Sequence, residues 1–267
     1  MTSIRDLLVR GTLALSLIIP FYFAFAALGS KFQIIDWRFG LGTMVIGWGP
    51  LLLLGAALLA VIALLLALVI APRRGRRIAL AALIVPLLGL GYAAYVRAGA
   101  QGLPPIHDIS TDLVDPPAFS AAIAAARAAT PAGNNLDRAG VRIPAGAYSG
   151  RWADVLLDDA QRQAYPDITP VVTSVAPSAA FEAALAAARA QGWAIGETDP
   201  AAGRIEATAQ SFWFGFIDDI AVRVRATDSG ARVDVRSVSR VGMSDLGANG
   251  ARVRKFLADL NTRLSAD

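Results

Sequence analysis

The stretch FIDDIAVRVRATDSGARVDVRSVSRV, residues 216–241, contains the clearest structural pattern of the chain. Residues 216–226 and 231–241 alternate apolar and polar side chains, which is the period of a half-buried strand. Between them, Asp228, Ser229 and Gly230 are typical turn residues. The stretch therefore predicts a hairpin of two antiparallel strands.

The charges of this hairpin predict its register. If Val224 lies opposite Val233, then Val222 lies opposite Val235 on the same apolar face. The same alignment places Arg223 opposite Asp234 on the other face. The apolar pairs on one face and the oppositely charged pair on the other therefore predict the same register.

Shorter elements surround the hairpin in residues 169–264. Short β-prone runs occupy residues 171–175, 193–197 and 204–210, and a helix is predicted from Pro177 to a C-terminal Gly192. A last helix is expected from Ser244, as its N-cap, to about Leu264. The predicted fold class is α+β, an antiparallel sheet with two main helices packed on one face.

The segment before this core is less regular. Residues 101–117 are rich in Pro and Asp and predict an extended leader, since a residue before Pro is disfavoured in a helix. A short Ala-rich helix is expected within 117–129. Residues 131–168 are predicted to be irregular, with a short helix around 154–163.

The first hundred residues have the composition of a membrane anchor. The whole chain is 55% apolar and only 17% charged, whereas a soluble domain carries about 25% charge. Uncharged runs of the length that crosses a bilayer predict three transmembrane helices, at about residues 11–29, 49–71 and 78–96. The expected domains are an anchor at 1–100 and an α+β domain at 101–267.

The distribution of Arg and Lys predicts the orientation. Arg73, Arg74, Arg76 and Arg77 lie between the second and third spans with no acid nearby, which is typical of a cytoplasmic loop. The N-terminus is then cytoplasmic, and the C-terminal domain lies in the periplasm of a bacterium, outside the inner membrane. Cleavage of the first span as a signal peptide is an alternative, but the apolar run is longer than usual for one.

Several functional classes are disfavoured by composition. Residues 1–100 contain nine Lys and Arg against two acids, whereas residues 101–267 contain sixteen against nineteen, so the C-terminal part lacks the basic footprint of a nucleic-acid binder. The chain has no Cys and one His, and we expect neither a metal nor a cofactor. The predicted spans carry no charged residue, which argues against a pump or a proton-coupled transporter.

The densest group of specific polar residues lies at the end of the hairpin and on the last helix. Asp245, Asn249 and Arg252 recur at i, i+4 and i+7 and share one helix stripe. Arg236 and Arg240 can share one face of the sheet. Asp218 and Asp219 are adjacent in a strand and must point to opposite faces. The candidate residues are Arg236, Arg240, Asp245, Asn249, Arg252, Asp218 and Asp219.

Two interpretations of this group remain open. It is either an anion-binding or catalytic pocket, or an Arg–carboxylate network that fixes the last helix to the sheet. His107, in the leader, is a weaker catalytic candidate. The sequence does not decide whether the protein is an enzyme.

The polar group also resembles a known family. The resemblance rests on Phe216-Ile217-Asp218-Asp219 and on Arg236-Ser237-x-Ser239-Arg240-Val241-Gly242-x-Ser244-Asp245-Leu246-Gly247-x-Asn249-x-x-Arg252. This pattern is similar to the signature of the domain of unknown function 1499 family, in its membrane-anchored proteobacterial form, and covers about residues 103–263. The resemblance implies no established activity.

The leading hypothesis is a membrane-anchored envelope protein whose periplasmic domain is a binding or scaffolding module. Its expected partners are the lipid bilayer and an envelope protein or lipid. The alternative is a hydrolase or transferase whose lipid-linked or anionic substrate is held by the Arg cluster.

Overall fold

The computed structural model describes residues 2–146 and 149–265. Contacts divide the chain into two compact units, residues 1–101 with 212–215 and residues 102–211 with 216–267. Residues 147 and 148, within the segment predicted to be irregular, lie outside the described residues.

The first unit consists of helices. These are α1 (Thr2–Lys31), a π-helix (Arg38–Trp48) continuous with α2 (Gly49–Val69), and α3 (Arg76–Ala100). Three helical segments, Ile4–Lys31, Arg38–Val69 and Arg76–Ala100, are long and apolar enough to cross a membrane. The prediction of three N-terminal helices with the length and composition of membrane spans is therefore confirmed.

The second helical segment begins about ten residues earlier than expected. The Asp36 side chain accepts a hydrogen bond from the Arg38 backbone N–H at 2.7 Å, and its carbonyl accepts one from Gly40 at 2.9 Å. These bonds satisfy donors that a helix start leaves without an intrahelical partner. The helical segment therefore includes residues 38–48, which lie before the span predicted at about residues 49–71.

Small residues line the contacts between these helices. On α2, Ala56, Ala60, Ala63 and Ala67 are buried at helical spacing, whereas large side chains such as Leu58 are exposed. Close approach at small residues, with large apolar groups outside, is typical of helices packed within lipid.

The second unit contains an antiparallel sheet. Its strands are β1 (Asp108–Ser110), β2 (Val171–Thr173), β3 (Ala194–Asp199), β4 (Arg204–Gln210), β5 (Ile217–Thr227) and β6 (Gly230–Ser239). The order is β1-β6-β5-β4-β3, and β2 also pairs with β6. Its helices are α4 (Ala121–Ala128), α5 (Leu157–Ala164), α6 (Pro177–Ala190) and α7 (Ala248–Leu264), with a 3₁₀ turn at Gly150–Trp152. The α+β class is confirmed.

The β5–β6 hairpin has the register predicted from its charges. Val222 pairs with Val235, Arg223 with Asp234, and Val224 with Val233. Gly230 ends the turn at φ +144°, and a Cβ there would lie 2.2 Å from the Thr173 carbonyl oxygen. Only glycine fits this position, because β2 packs directly against the turn.

The two faces of the sheet differ in chemistry. Helices α6 and α7 cover the face that carries the hairpin valines, and the Trp193 and Phe256 rings stack there at 5.2 Å between centroids. The opposite face carries Arg and Asp side chains. We call these the apolar face and the ionic face.

The core extends further toward the N-terminus than residues 169–264. Asp108–Ser110, within the predicted leader, pairs with strand β6 of the hairpin. Ile106, Ile109 and Trp152 are buried in the same cluster as the hairpin valines. Their segments contain too few regular residues for a period to be visible in the sequence.

Candidate functional site: arginine–carboxylate clusters on both faces of the sheet

Strand alternation divides the predicted site residues between the two faces. On β5, Asp218 pairs with Ser239 and Asp219 with Val238, so these adjacent carboxylates point in opposite directions. Arg236 and Arg240 lie on the ionic face with Asp219. Arg252, Asn249 and Asp218 meet on the apolar face, beneath α7. The structure thus forms separate clusters and does not bring the three arginines into one pocket.

Asp219 is the centre of the first cluster. Its carboxylate is fully buried and accepts bonds from Arg240 Nη2 at 2.7 Å and Nε at 3.0 Å. Arg127, from α4, donates to it at 2.7 Å and also reaches the carbonyls of Val238 and Ser239. The sequence did not single out Arg127, whose Ala-rich helix gives no sign of a polar contact.

Asp108 is the centre of the second cluster. Arg236 donates to its two carboxylate oxygens at 3.1 and 2.7 Å, and Arg138 lies 2.7 Å away. Burial would raise the pKa of Asp108, but the charge of Arg138 and the hydrogen bonds and charge of Arg236 outweigh burial and lower it. These contacts attach β1 to β6 through ionic as well as backbone bonds.

The third cluster joins α7 to the sheet. Arg252 Nη2 donates to Asp218 at 2.6 Å, and Nη1 donates to Ser237 Oγ at 3.0 Å and also contacts Asn249 Oδ1. The buried Asn249 amide also donates to Ser239 Oγ at 2.9 Å and to the His107 carbonyl at 3.0 Å. Asn249 therefore links the helix, the sheet and the segment entering from α3.

Asp245 has a different role from its predicted neighbours. Its carboxylate accepts the backbone N–H groups of Gly247 at 2.8 Å and Asn249 at 2.7 Å, ahead of α7. The N-cap is Gly247, so the expectation that Ser244 caps the helix is wrong. Burial raises the pKa of Asp245, aided by the charge of Asp218 and opposed by the two backbone donors.

A fourth cluster was largely missed by the sequence. The guanidinium groups of Arg223, Arg225 and Arg232 all donate to the fully buried carboxylate of Asp234. Two carboxylates of the leader join this cluster. Asp112 contacts all three arginines, and Asp115 contacts Arg223 and Arg225. The Arg223–Asp234 pair was predictable from register, whereas the leader carboxylates become neighbours only through tertiary folding.

Two further titratable groups lie near the start of α7. Burial lowers the pKa of His107, partly offset by its hydrogen bond to the Met243 carbonyl. Burial and the charge of Asp245 raise the pKa of Tyr165 to about 12. Among the described residues, no group of three or more His, Cys, Asp and Glu could hold a metal ion.

Residues 108–260 match the model of a family described as protein of unknown function (DUF1499). The chain belongs to this family. The match covers more than half of the chain, from Asp108 past Arg252, so the four clusters all lie within the DUF1499 domain. No curated protein matches the chain.

Proposed function

We propose that the chain is a membrane-anchored protein of the bacterial envelope, whose DUF1499 domain lies in the periplasm as a binding or scaffolding module. The three apolar helices support the anchor. The unbalanced arginines of residues 73–77 support a cytoplasmic loop between α2 and α3, and hence a domain on the opposite side.

The observation that carries the module hypothesis is the pairing of the candidate arginines. Arg236, Arg240 and Arg252 each bind a carboxylate of the same domain at 2.6–2.7 Å. An anionic substrate would have to displace a partner that already supplies charge and hydrogen bonds. The geometry therefore favours a structural network that holds a binding surface, over the alternative of an enzyme that grips an anion.

The structural role can be tested with Arg240→Ala and Arg252→Ala in the full chain in detergent. Arg252→Ala removes the arginine partner of Asp218, so we expect the free energy of unfolding to fall by about 3 kcal/mol. Arg240→Ala should have a somewhat smaller effect, because Arg127 still binds Asp219. Arg254→Ala is the matched control, because Arg254 forms an equally close bidentate pair with Asp167 at the surface. There the loss should be below about 1 kcal/mol.

Urea unfolding followed by tryptophan fluorescence measures these differences. If Arg240→Ala and Arg252→Ala unfold at the same urea concentration as the original chain, the network is not structural, and the anion-site alternative replaces it.

The periplasmic location can be tested separately. Reporter fusions that are active only in the periplasm, joined after residue 100 and after residue 267, should both be active. An inactive reporter at both positions would refute the proposed orientation.

A further inference from the structure

Four arginines where α2 meets α3 differ from the arginines of the four ionic clusters. Arg73, Arg74, Arg76 and Arg77 are all exposed, and none of their guanidinium groups forms a hydrogen bond or ion pair with another described residue. Residues 73–78 line an open cleft of about 330 Å³. We call these four residues the arginine cluster. Their donors and charges are available to a ligand.

The backbone that carries the arginine cluster is fixed against α1. The buried guanidinium of Arg5 donates to the Ile70 carbonyl at 3.1 Å and also contacts the Pro72 carbonyl. Gly75 adopts φ +87°, and a Cβ there would lie 3.2 Å from the buried Val9 side chain. The cluster therefore projects from an ordered backbone, and an anion that binds it need not order the chain.

The charge of the arginine cluster is not balanced within the helical unit. Residues 1–101 contain two acids, Asp6 and Asp36. Asp6 accepts hydrogen bonds from Arg5 at 2.9 and 2.7 Å, and Asp36 pairs with Arg38 at 3.1 Å. Four guanidinium groups within five residues repel one another, and an anion among them relieves this repulsion. Because guanidinium groups bind phosphate oxygens through paired hydrogen bonds, phosphate is the anion that suits them best.

A line of exposed aliphatic side chains extends along α3 from the arginine cluster. Positions i+3, i+7 and i+11 from Arg77 are Leu80, Ile84 and Leu88. A helix places these four side chains on one face, and the three aliphatic ones are 52%, 56% and 69% exposed. The line is about 16 Å long, close to half of the roughly 30 Å hydrocarbon core of a bilayer. A phosphate ion matches only the cluster, whereas a phospholipid matches the cluster and the aliphatic line.

We propose that the arginine cluster binds the phosphate of an anionic phospholipid, whose acyl chain lies along Leu80, Ile84 and Leu88. An anionic lipid is favoured because the cation of a zwitterionic headgroup would approach the same guanidinium groups. The proposal requires α2 and α3 to cross a membrane and is the same for either side of it. It can therefore fail while the periplasmic location stands, and the reverse.

The absence of native cysteine allows a direct test in the full chain reconstituted in vesicles. Bimane, a fluorophore that nitroxides quench, is attached to Leu88→Cys at the far end of the aliphatic line. All vesicles contain equal amounts of phosphatidylglycerol and phosphatidylcholine, and one of the two lipids carries a nitroxide on a fixed fraction of its acyl chains. The difference in quenching measures which lipid is enriched beside the label. Leu58→Cys, where Leu58 is 61% exposed on α2, is the control position.

We expect phosphatidylglycerol to be enriched several-fold over phosphatidylcholine at residue 88 and not at residue 58. Adding Arg76→Gln and Arg77→Gln should remove most of the enrichment at residue 88. The matched control is Arg97→Gln with Arg189→Gln, which removes the same charge from two other exposed arginines and should preserve the enrichment.

No enrichment at residue 88, or an equal loss in both pairs of variants, would overturn the proposal. Exchange of chloride for inorganic phosphate at equal ionic strength separates the two sources of phosphate. Enrichment that persists supports a lipid site. Its loss would show that the arginine cluster binds the free ion, and the lipid assignment would then be wrong.

Discussion

At the scale of single residues, Asp245 and Asp167 are two carboxylates near Tyr165, and their surroundings shift their pKa values in opposite directions. Burial raises the pKa of Asp245 from 3.8. The hydrogen bond from Arg254, whose guanidinium lies over the Tyr165 ring, lowers the pKa of Asp167 from the same value, against a smaller effect of burial. The two groups must therefore affect stability differently as pH changes.

We expect Asp245→Asn and Asp167→Asn to change the pH dependence of unfolding with opposite sign. The folded-state pKa of Asp245 is raised, so ionisation of this carboxylate lowers the free energy of unfolding as pH rises from about 4 through that pKa. Asp245→Asn should not show this decrease in stability. The folded-state pKa of Asp167 is lowered, so its contribution is present above about pH 4 and disappears as pH falls through that pKa. The second variant should lose this acid dependence.

The measurement is urea unfolding of the full chains between pH 3 and pH 7, expressed as the difference between original and variant. Each variant is the control for the other, since both exchange one carboxylate for an amide. Differences that vary with pH in the same direction would contradict the environments described for these two groups.

The residue scale also shows what sequence could foresee. Alternation along β5 predicted that Asp218 and Asp219 face apart, and Asp218 does bind Arg252 while Asp219 binds Arg240. Arg127, which binds Asp219, could not be predicted, because helix α4 contains no other polar residue to reveal a polar face. Such partners are fixed by tertiary packing and leave no local pattern.

At the scale of elements, the hairpin was predictable and the start of α7 was not. The hairpin register follows from two agreeing faces over eleven and ten residues. Helix α7 begins at Ala248 and not at Ser244, because Leu246 and Gly247 adopt positive φ and turn the chain before the helix. The helical spacing of the apolar side chains continues across these two residues, so the sequence pattern does not show that their backbone angles differ from those of a helix.

Gly250, in the first turn of α7, permits the helix to approach Tyr165. A Cβ at this position would lie 2.5 Å from the Tyr165 ring. Glycine to alanine in a helix normally stabilises by up to about 1 kcal/mol, but here we expect Gly250→Ala to reduce the free energy of unfolding by about 1–3 kcal/mol, through overpacking.

Tyr165→Leu, combined with Gly250→Ala, is the control, since the smaller side chain removes the clash. In urea unfolding of the full chain, the double variant should be more stable than the sum of the two single effects predicts. Strict additivity would show that the ring contact does not determine the requirement for glycine.

At the scale of the whole molecule, the orientation proposed for the domain depends on one short loop. Arg73 and Arg74 lie between α2 and α3, Arg76 and Arg77 begin α3, and residues 71–77 contain no acid. Cationic side chains in short loops are retained in the cytoplasm, and acids contribute little to this rule. Removing the four charges should therefore change how the chain inserts while leaving the DUF1499 domain sequence intact.

We expect replacement of all four arginines by glutamine to produce chains of mixed orientation in a bacterial host, and replacement by lysine to retain a single one. Ser229→Cys places the only thiol in the β5–β6 turn, where a membrane-impermeant maleimide can report its side of the membrane. In spheroplasts the lysine variant should be labelled as fully as the original chain, and the glutamine variant only in part. Full labelling of the glutamine variant would mean that another feature orients the helices, because the lysine control separates positive charge from the guanidinium group itself.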